Sequence, residues 1–507
     1  MSSESNKRLA KNTVILYLRM FLIMAIGLYT SRVVLRVLGV EDFGVYNAVG
    51  GFVAMFSLLS GTLTNAVNRF LAFELGRGDK AKLVRVFSTS LNVMMMLSGV
   101  IIILGACIGL WFVSTQMSIP EGRGNAALWV LGCSLLTFAI NLISVPYNAA
   151  IVAHERMSAF AYISLAEAAL KLLIVYALTV SPVDKLKTYA VLMLAVAALI
   201  RLLYGIYCKR HFKECTYHLI YDGSLLREMT SFAGWNFVAS SAGLINNSGV
   251  NLLMNIFFGV TVNAARGIAV QVSSSVTTFV SNFMMALNPQ ITKTYAQGDL
   301  TSMHALVCRG AKFGFFLTLF IVIPLCLETR YVLHLWLGIV PNYTVPFVSI
   351  ALIATSVNVL SNTLIAAVHA TGNIKRFMIV TGAVEFMCFP LTYVAFKMGS
   401  SPTMAYYIYT VVYLVLMVLR LLLVKGLIGM KGIRFVKDVY FRVGMVSVMA
   451  VIVPTAIWMS MDEGFVRLLT VCIVSTVSTS LCVWFAGLDR EERSMVMGFI
   501  KRKISRK

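Results

Sequence analysis

Charge is scarce in this sequence. Charged residues make up 13% of the 507, half of the roughly 25% that a soluble domain carries, so the chain lacks the polar surface that water demands. Proline is scarce too, at 10 against 31 Phe and 27 Met, which excludes a disordered or collagen-like chain. No hydrophilic stretch is long enough for a soluble domain, and no alternating runs point to an outer-membrane barrel. After the basic start Met1–Lys11 comes an apolar run with no small-residue cleavage site, so the first helix is expected to stay rather than leave as a signal peptide. The nine cysteines lie in apolar runs or basic connections (Cys208, Cys215, Cys308), away from any need for disulfides. Walker A, GxSxG and HExxH patterns are missing, so the chain does not read as an enzyme or a nucleotide-driven pump, and no cofactor or metal is expected.

What is present is apolar length. Hydrophobic residues reach 59% and mean hydropathy is +0.83. Spans need about 20 apolar residues, and fourteen runs qualify: 12–35, 44–72, 86–114, 126–153, 157–181, 188–208, 229–258, 262–290, 310–329, 343–370, 376–397, 403–425, 441–461 and 465–487. The reading is an all-α integral membrane protein. Its expected parts are a six-helix bundle over 1–208, a cytoplasmic linker over 209–228, and a second six-helix bundle over 229–428. Two further spans follow over 429–487, then a basic tail over 488–507.

Net charge is +22. One alternate set of connections holds 30 basic residues and the other eight, Arg32, Arg36, Arg123, Lys185, Lys187, Arg330, Lys397 and Arg467. Basic connections stay on the cytoplasmic side, so both termini are expected there, and the excess needs no nucleic acid to explain it. Trp111, Trp129, Trp336 and Trp458 near outer ends, with Trp235 and Trp484 near inner ends, read as an aromatic belt.

The chain also matches itself. At an offset of 220, Gly39-Val40 pairs with Gly259-Val260, Asn68 with Asn288, and Gly78-Asp79 with Gly298-Asp299. Further on the offset becomes 217: Ala149-Ala150 meets Ala366-Ala367, Ala153 meets Ala370, and Phe160 meets Phe377. Spans 1–6 and 7–12 then form two related halves. Six spans each give the halves one orientation, the parallel repeat typical of alternating-access transporters.

Charges inside the spans mark function, since each central one costs about 2.5–3.5 kcal/mol on insertion scales. Arg19, Arg69, Lys171, Arg201 and Arg266 are basic and internal, Arg32 borders span 1, and Glu167 and Glu385 are acidic. Arg201 reads as a snorkelling residue. Lys171 follows Glu167 by one turn, in the order that favours an ion pair; a structural pair and a functional one both fit. For Arg69, with Glu74 close in sequence, anchoring and ligand contact fit equally. A cationic interior attracts an anion, and the arginine fork suits phosphate, which makes Arg19, Arg32, Arg69 and Arg266 the pyrophosphate candidates. In span 7, Asn247, Asn251 and Asn255 repeat every four residues with Asn236 near the same face. These, and Gln271 in the polar span 8, are either interhelical amide bonds or a wall for sugar hydroxyls. Glu167, Lys171 and Glu385 are the candidates for ion coupling. Cys208, His211, Cys215 and His218 resemble zinc spacing, but one helix would spread them over roughly 15 Å, too far for one tetrahedral ion.

Leu38-Gly39-Val40-Glu41-Asp42-Phe43-Gly44-Val45-Tyr46, Pro146-Tyr147-Asn148 leading to Ala153-His154-Glu155-Arg156, and Asn288-Pro289-Gln290 resemble Wzx-type polysaccharide flippases. That family sits in the multidrug/oligosaccharidyl-lipid/polysaccharide (MOP) superfamily, related to MATE transporters and lipid II flippases. The resemblance runs over essentially the whole chain. It implies a V-shaped, MATE-like pair of six-helix bundles. It also implies flipping of an undecaprenyl-pyrophosphate-linked oligosaccharide across the bacterial cytoplasmic (inner) membrane, for O-antigen (lipopolysaccharide), capsule or exopolysaccharide assembly. Membrane lipids surround such a protein, and polymerase and chain-length proteins are its implied pathway partners. Two other readings stand beside it. A drug or cation antiporter of the same superfamily calls for an acidic interior, and a polytopic polysaccharide polymerase calls for a large outer loop or an acidic cluster.

Overall fold

The computed structural model describes the backbone of residues 3–54, 56–115, 122–180, 184–218, 222–338, 340–494 and 497, without the side chains of 3–11 and of certain helical positions, Arg32 among them. Among the described residues every regular element is a helix. A segment in hydrocarbon must satisfy its own backbone, and long apolar runs do so as helices.

The helices in order are α1 (Ser3–Ala54), α2 (Ser57–Arg77), α3 (Lys80–Thr115), α4 (Gly124–Ala153), α5 (Met157–Val180), α6 (Lys185–His211), α7 (Gly223–Ala296), α8 (Leu300–Leu327) and α9 (Thr329–Leu337). Then come α10 (Thr344–Val359), α11 (Asn362–Thr371), α12 (Lys375–Phe386), α13 (Cys388–Lys397), α14 (Met404–Ile428), α15 (Gly432–Phe435), α16 (Arg442–Ser460) and α17 (Phe465–Cys482). Ten helical stretches among the described residues are long and apolar enough to cross a membrane. The other four expected spans fall on α1, α2 and α7.

Backbone geometry repeats with the sequence. Gly39 breaks α1 at φ 80°, ψ 171°, and Gly259 breaks α7 at φ 82°, ψ −176°, in a region open essentially to glycine alone. Gly78 (φ 77°) and Gly298 (φ 74°) then end a helix in each half. The aspartate after each caps the next one: Asp79 Oδ1 accepts from Lys82 N–H at 2.9 Å and Asp299 Oδ1 from Ser302 N–H at 3.0 Å. At the 217 offset, Glu155 (φ 58°) and Gly372 (φ 77°) hold the same left-handed position after spans 4 and 10.

Two compact units result, Ala10–Phe237 and Val238–Lys507 with Met1–Leu9. In the first, α4 packs against α2, α3, α5 and α6, burying Ala126, Ala127, Ala139, Ala149, Ala150 and Ala153. Small residues let helices approach closely: a Cβ on Gly105 of α3 would stand 2.5 Å from Leu135 of α4. At the end poor in basic residues, Arg123 donates to Asp42 at 2.7 Å and to Asp184 at 2.6 Å, joining three interhelical connections. Asp42 is the aspartate of the Gly39–Tyr46 motif and is buried. The turn Lys213–Cys215 lies against α3 and α6, and Glu214 pairs with the ring of His154. Since α6 stops at His211, the Cys208–His218 residues do not share one helix.

In the second unit α14 packs on α10, α11, α12 and α13, while α8 packs on α10, α11, α16 and α17. The two additional spans therefore attach to α8. Pro390 lacks an N–H and opposes the carbonyl four residues back, which accounts for the break between α12 and α13 at Met387. Ion pairs close both ends of this unit. Arg467 grips Glu328 with two bonds of 2.8 and 3.0 Å. Buried Lys312 meets Glu492 at 2.7 Å, fixing the start of the C-terminal segment to α8.

Candidate functional site

Each unit holds its own group of charges. In the first, Arg19 of α1 lies half-buried with its guanidinium 4.5 Å over the Phe160 ring of α5. Its Nε is buried with no hydrogen-bond partner among the described residues, and Tyr204 and Glu167 are near enough to act on its charge. Glu167 accepts from Lys171 at 2.6 Å, one turn on along α5, as the spacing predicts. Arg201 places its guanidinium 3.8 Å over the Tyr147 ring of α4. Arg69 belongs to different surroundings. It is buried among Phe70, Phe73 and Phe232 at 4.4, 4.9 and 5.7 Å, and its acidic partner is Glu228 at 3.6 Å. Glu74, its neighbour in sequence, is instead engaged by Lys82 at 3.0 Å. The side chain of Arg32 lies outside the described residues.

In the second unit Arg266 is buried on α7. Its Nη2 donates to Asn247 Oδ1 at 2.6 Å and to the Asn247 carbonyl at 3.0 Å, bridging the two arms of α7 across Gly259. Two candidates thus hold one another. The Tyr406 ring stands 5.9 Å from the guanidinium. Glu385 of α12 has Arg420 of α14 within electrostatic reach, and Arg420 is buried with Nη1 donating to Asn358 Oδ1 at 2.7 Å. Arg420 Nε is buried with no hydrogen-bond partner among the described residues. Tyr409, whose hydroxyl meets that of Tyr413 at 2.5 Å, feels both Glu385 and Arg266, so it links the two clusters.

The asparagine stripe divides. Asn251 and Asn255 are exposed on α7, while Asn236 is buried and donates to the Phe232 carbonyl at 2.9 Å. Gln271 is exposed. Around it, Ser273, Ser274, Ser275, Thr277, Thr278 and Ser281 return their hydroxyls to carbonyls three or four residues back. Such back-bonding satisfies a hydroxyl inside its own helix, so the polarity of span 8 needs no facing partner.

Sequence reasoning missed Arg420, counted as a cytoplasmic charge, and the tyrosines around it. A signal existed: Tyr406, Tyr409, Tyr413 and Arg420 recur at intervals of three, four and seven, one face of a helix.

No family model and no curated sequence matches the chain. Solved structures do. A MATE transporter crystallised in the bent conformation superposes with a TM-score of 0.73 at 14% identity, covering 84% of this chain and 96% of that one. The outward-facing multidrug resistance MATE family transporter of the MOP superfamily gives 0.71 at 13% identity, over 84% and 96%. This is the MATE fold. A Pyrococcus furiosus MOP superfamily transporter shares it, with a TM-score of 0.67 at 14% identity over 83% and 96%; that protein is described by the reversed polarity of its binding pocket, which suggests a different function. On the MATE fold, then, this chain carries arginines in both units, two of them held by neutral amides.

Proposed function

We propose that this protein is a transporter that moves an undecaprenyl-pyrophosphate-linked oligosaccharide from the inner to the outer leaflet of a bacterial cytoplasmic membrane, both termini in the cytoplasm. The observation that carries the reading is the partnering of the buried cations. Arg266 is bonded to the amide of Asn247, which leaves its charge uncompensated, whereas Arg420, bonded to Asn358, has Glu385 within electrostatic reach. A buried cation with a neutral partner is costly unless an anion visits it. Neither acid in these clusters is a bare negative site, since Lys171 engages Glu167 and Arg420 stands near Glu385. Pyrophosphate offers the oxygens that guanidinium forks recognise. That a pocket of reversed polarity is described for a protein of the same fold supports the idea that this fold serves substrates of differing charge.

The MATE-like alternative, export of drugs or organic cations, is supported equally by the fold itself. One experiment separates the two. Cells deleted for the protein are expected to accumulate lipid-linked repeat units in the inner leaflet, and liposomes containing it are expected to expose those units on the opposite side. Efflux of a cationic dye, with lipid-linked sugars unaffected in both assays, would refute the flippase reading.

A further inference from the structure

At the end of the second unit poor in basic residues lies a cavity of about 660 Å³, within the size range of small-ligand sites. One wall is α9 and the connection to α10, the other the turn between α16 and α17. Arg330, Tyr331, His334, Asn342, Tyr343 and Glu463 line it. The walls are stapled together: Arg467 at the start of α17 holds Glu328, the residue before α9, through both carboxylate oxygens, and also donates to the Met461 carbonyl of the turn at 3.4 Å.

Tyr343 is the unusual member. Its backbone sits at φ 68°, ψ −8°, a left-handed conformation that a bulky residue rarely adopts. Such strain persists where the surroundings enforce it, and it clusters at ligand sites. The ring stacks on Phe347 with centroids 6.0 Å apart and planes at 25°. Phe347 is fully buried, whereas Tyr343 is 43% exposed. One face of the tyrosine is therefore fixed against the core while the residue remains open to the cavity.

We infer that this cavity is a saccharide-binding site in which the Tyr343 ring is the platform for a sugar ring. An aromatic face is electronegative and complements the C–H face of a pyranose. Around it Arg330, His334, Asn342 and Glu463 supply both donors and acceptors for a rim of hydroxyls. Arg330 and His334, four residues apart, share a face of α9. The presence of the acid Glu463 beside Arg330 in the lining separates this site from a simple phosphate site, where an acid would repel the ligand. The sugar class rests on the flippase reading; the platform and its strain do not.

The test uses full-length protein in nanodiscs, and as probe the oligosaccharides released by mild acid from the host's own envelope polysaccharides. Saturation-transfer NMR is expected to show contact to sugar ring protons in the wild type. Tyr343→Gly suits the left-handed backbone, so its thermal stability is expected to equal or exceed wild type while sugar contact falls at least tenfold. Glu463→Gln is expected to weaken contact less. Wild type giving no more transfer than Tyr343→Gly overturns the site, as does transfer displaced by inorganic phosphate alone. Lipid-linked sugar flipping, measured in parallel, reports on the transport reading separately: binding without flipping sinks the flippase, and flipping without binding sinks this cavity.

Discussion

At the scale of single residues, the issue is what each buried charge does with its neighbour. Arg266 differs from Arg69 because its partner is an amide and not a carboxylate. Arg266→Ala is expected to weaken lipid-linked substrate capture about tenfold to a hundredfold, the worth of a charge-assisted hydrogen bond. Lysine should restore only part of it, since a point charge replaces a fork. Arg69→Lys should cost stability instead, because aromatic stacking around the guanidinium is lost. Capture assays beside melting curves distinguish the two, and normal capture by Arg266→Ala would remove it from the substrate site. Glu385 poses a separate question. If it exchanges a proton during transport, Glu385→Gln should flatten the dependence of flipping on external pH; an unchanged pH profile would end that role.

Helices and their breaks obey a different logic, in which backbone freedom outweighs side-chain contact. Gly39 and Gly259 have open space where a Cβ would go, so steric crowding is not what requires glycine there. Their dihedrals are. Alanine at either position is expected to cost about 1–3 kcal/mol, the range for a residue forced into such a region, and thermal unfolding of each single variant checks it. Gly105 is the contrasting case, where the obstacle is Leu135 at 2.5 Å. There Gly105→Ala should be rescued by Leu135→Ala, while no such partner rescues Gly39→Ala. The Lys312–Glu492 pair tests how the last helices are held. Glu492→Gln leaves buried Lys312 only the longer 3.9 Å contact with Asp489 and should destabilise, by less than the roughly 3–5 kcal/mol of a buried charge left wholly unpaired, whereas replacing both residues with apolar ones should recover most of the loss.

For the molecule as a whole, the flippase reading raises the question of what would drive the cycle. A pyrophosphate head with roughly two negative charges gains about 4–5 kcal/mol per 100 mV in moving outward across a membrane that is negative inside. A potassium-diffusion potential, positive on the receiving side, is therefore expected to speed flipping in proteoliposomes with no proton or sodium gradient. A rate that ignores the potential and follows an ion gradient would mean that a counter-ion moves with the substrate.

Sequence by itself determined the all-helical class, ten of the spans and the glycine repeat, because these rest on local properties: apolar length, and glycines at a fixed offset whose φ angles then agree within a few degrees. It determined the Glu167–Lys171 pair for the same reason, since one helical turn fixes that geometry. Partners distant in the chain were decided only by tertiary structure. Nothing local told that Arg69 would choose Glu228 over Glu74, that Asn247 would be occupied by Arg266, or that Arg420 would turn into the protein and leave the basic connection it was counted with. The strained Tyr343 and its cavity were equally invisible, because a dihedral angle and a staple between Glu328 and Arg467, 139 residues apart, exist only once the helices have packed.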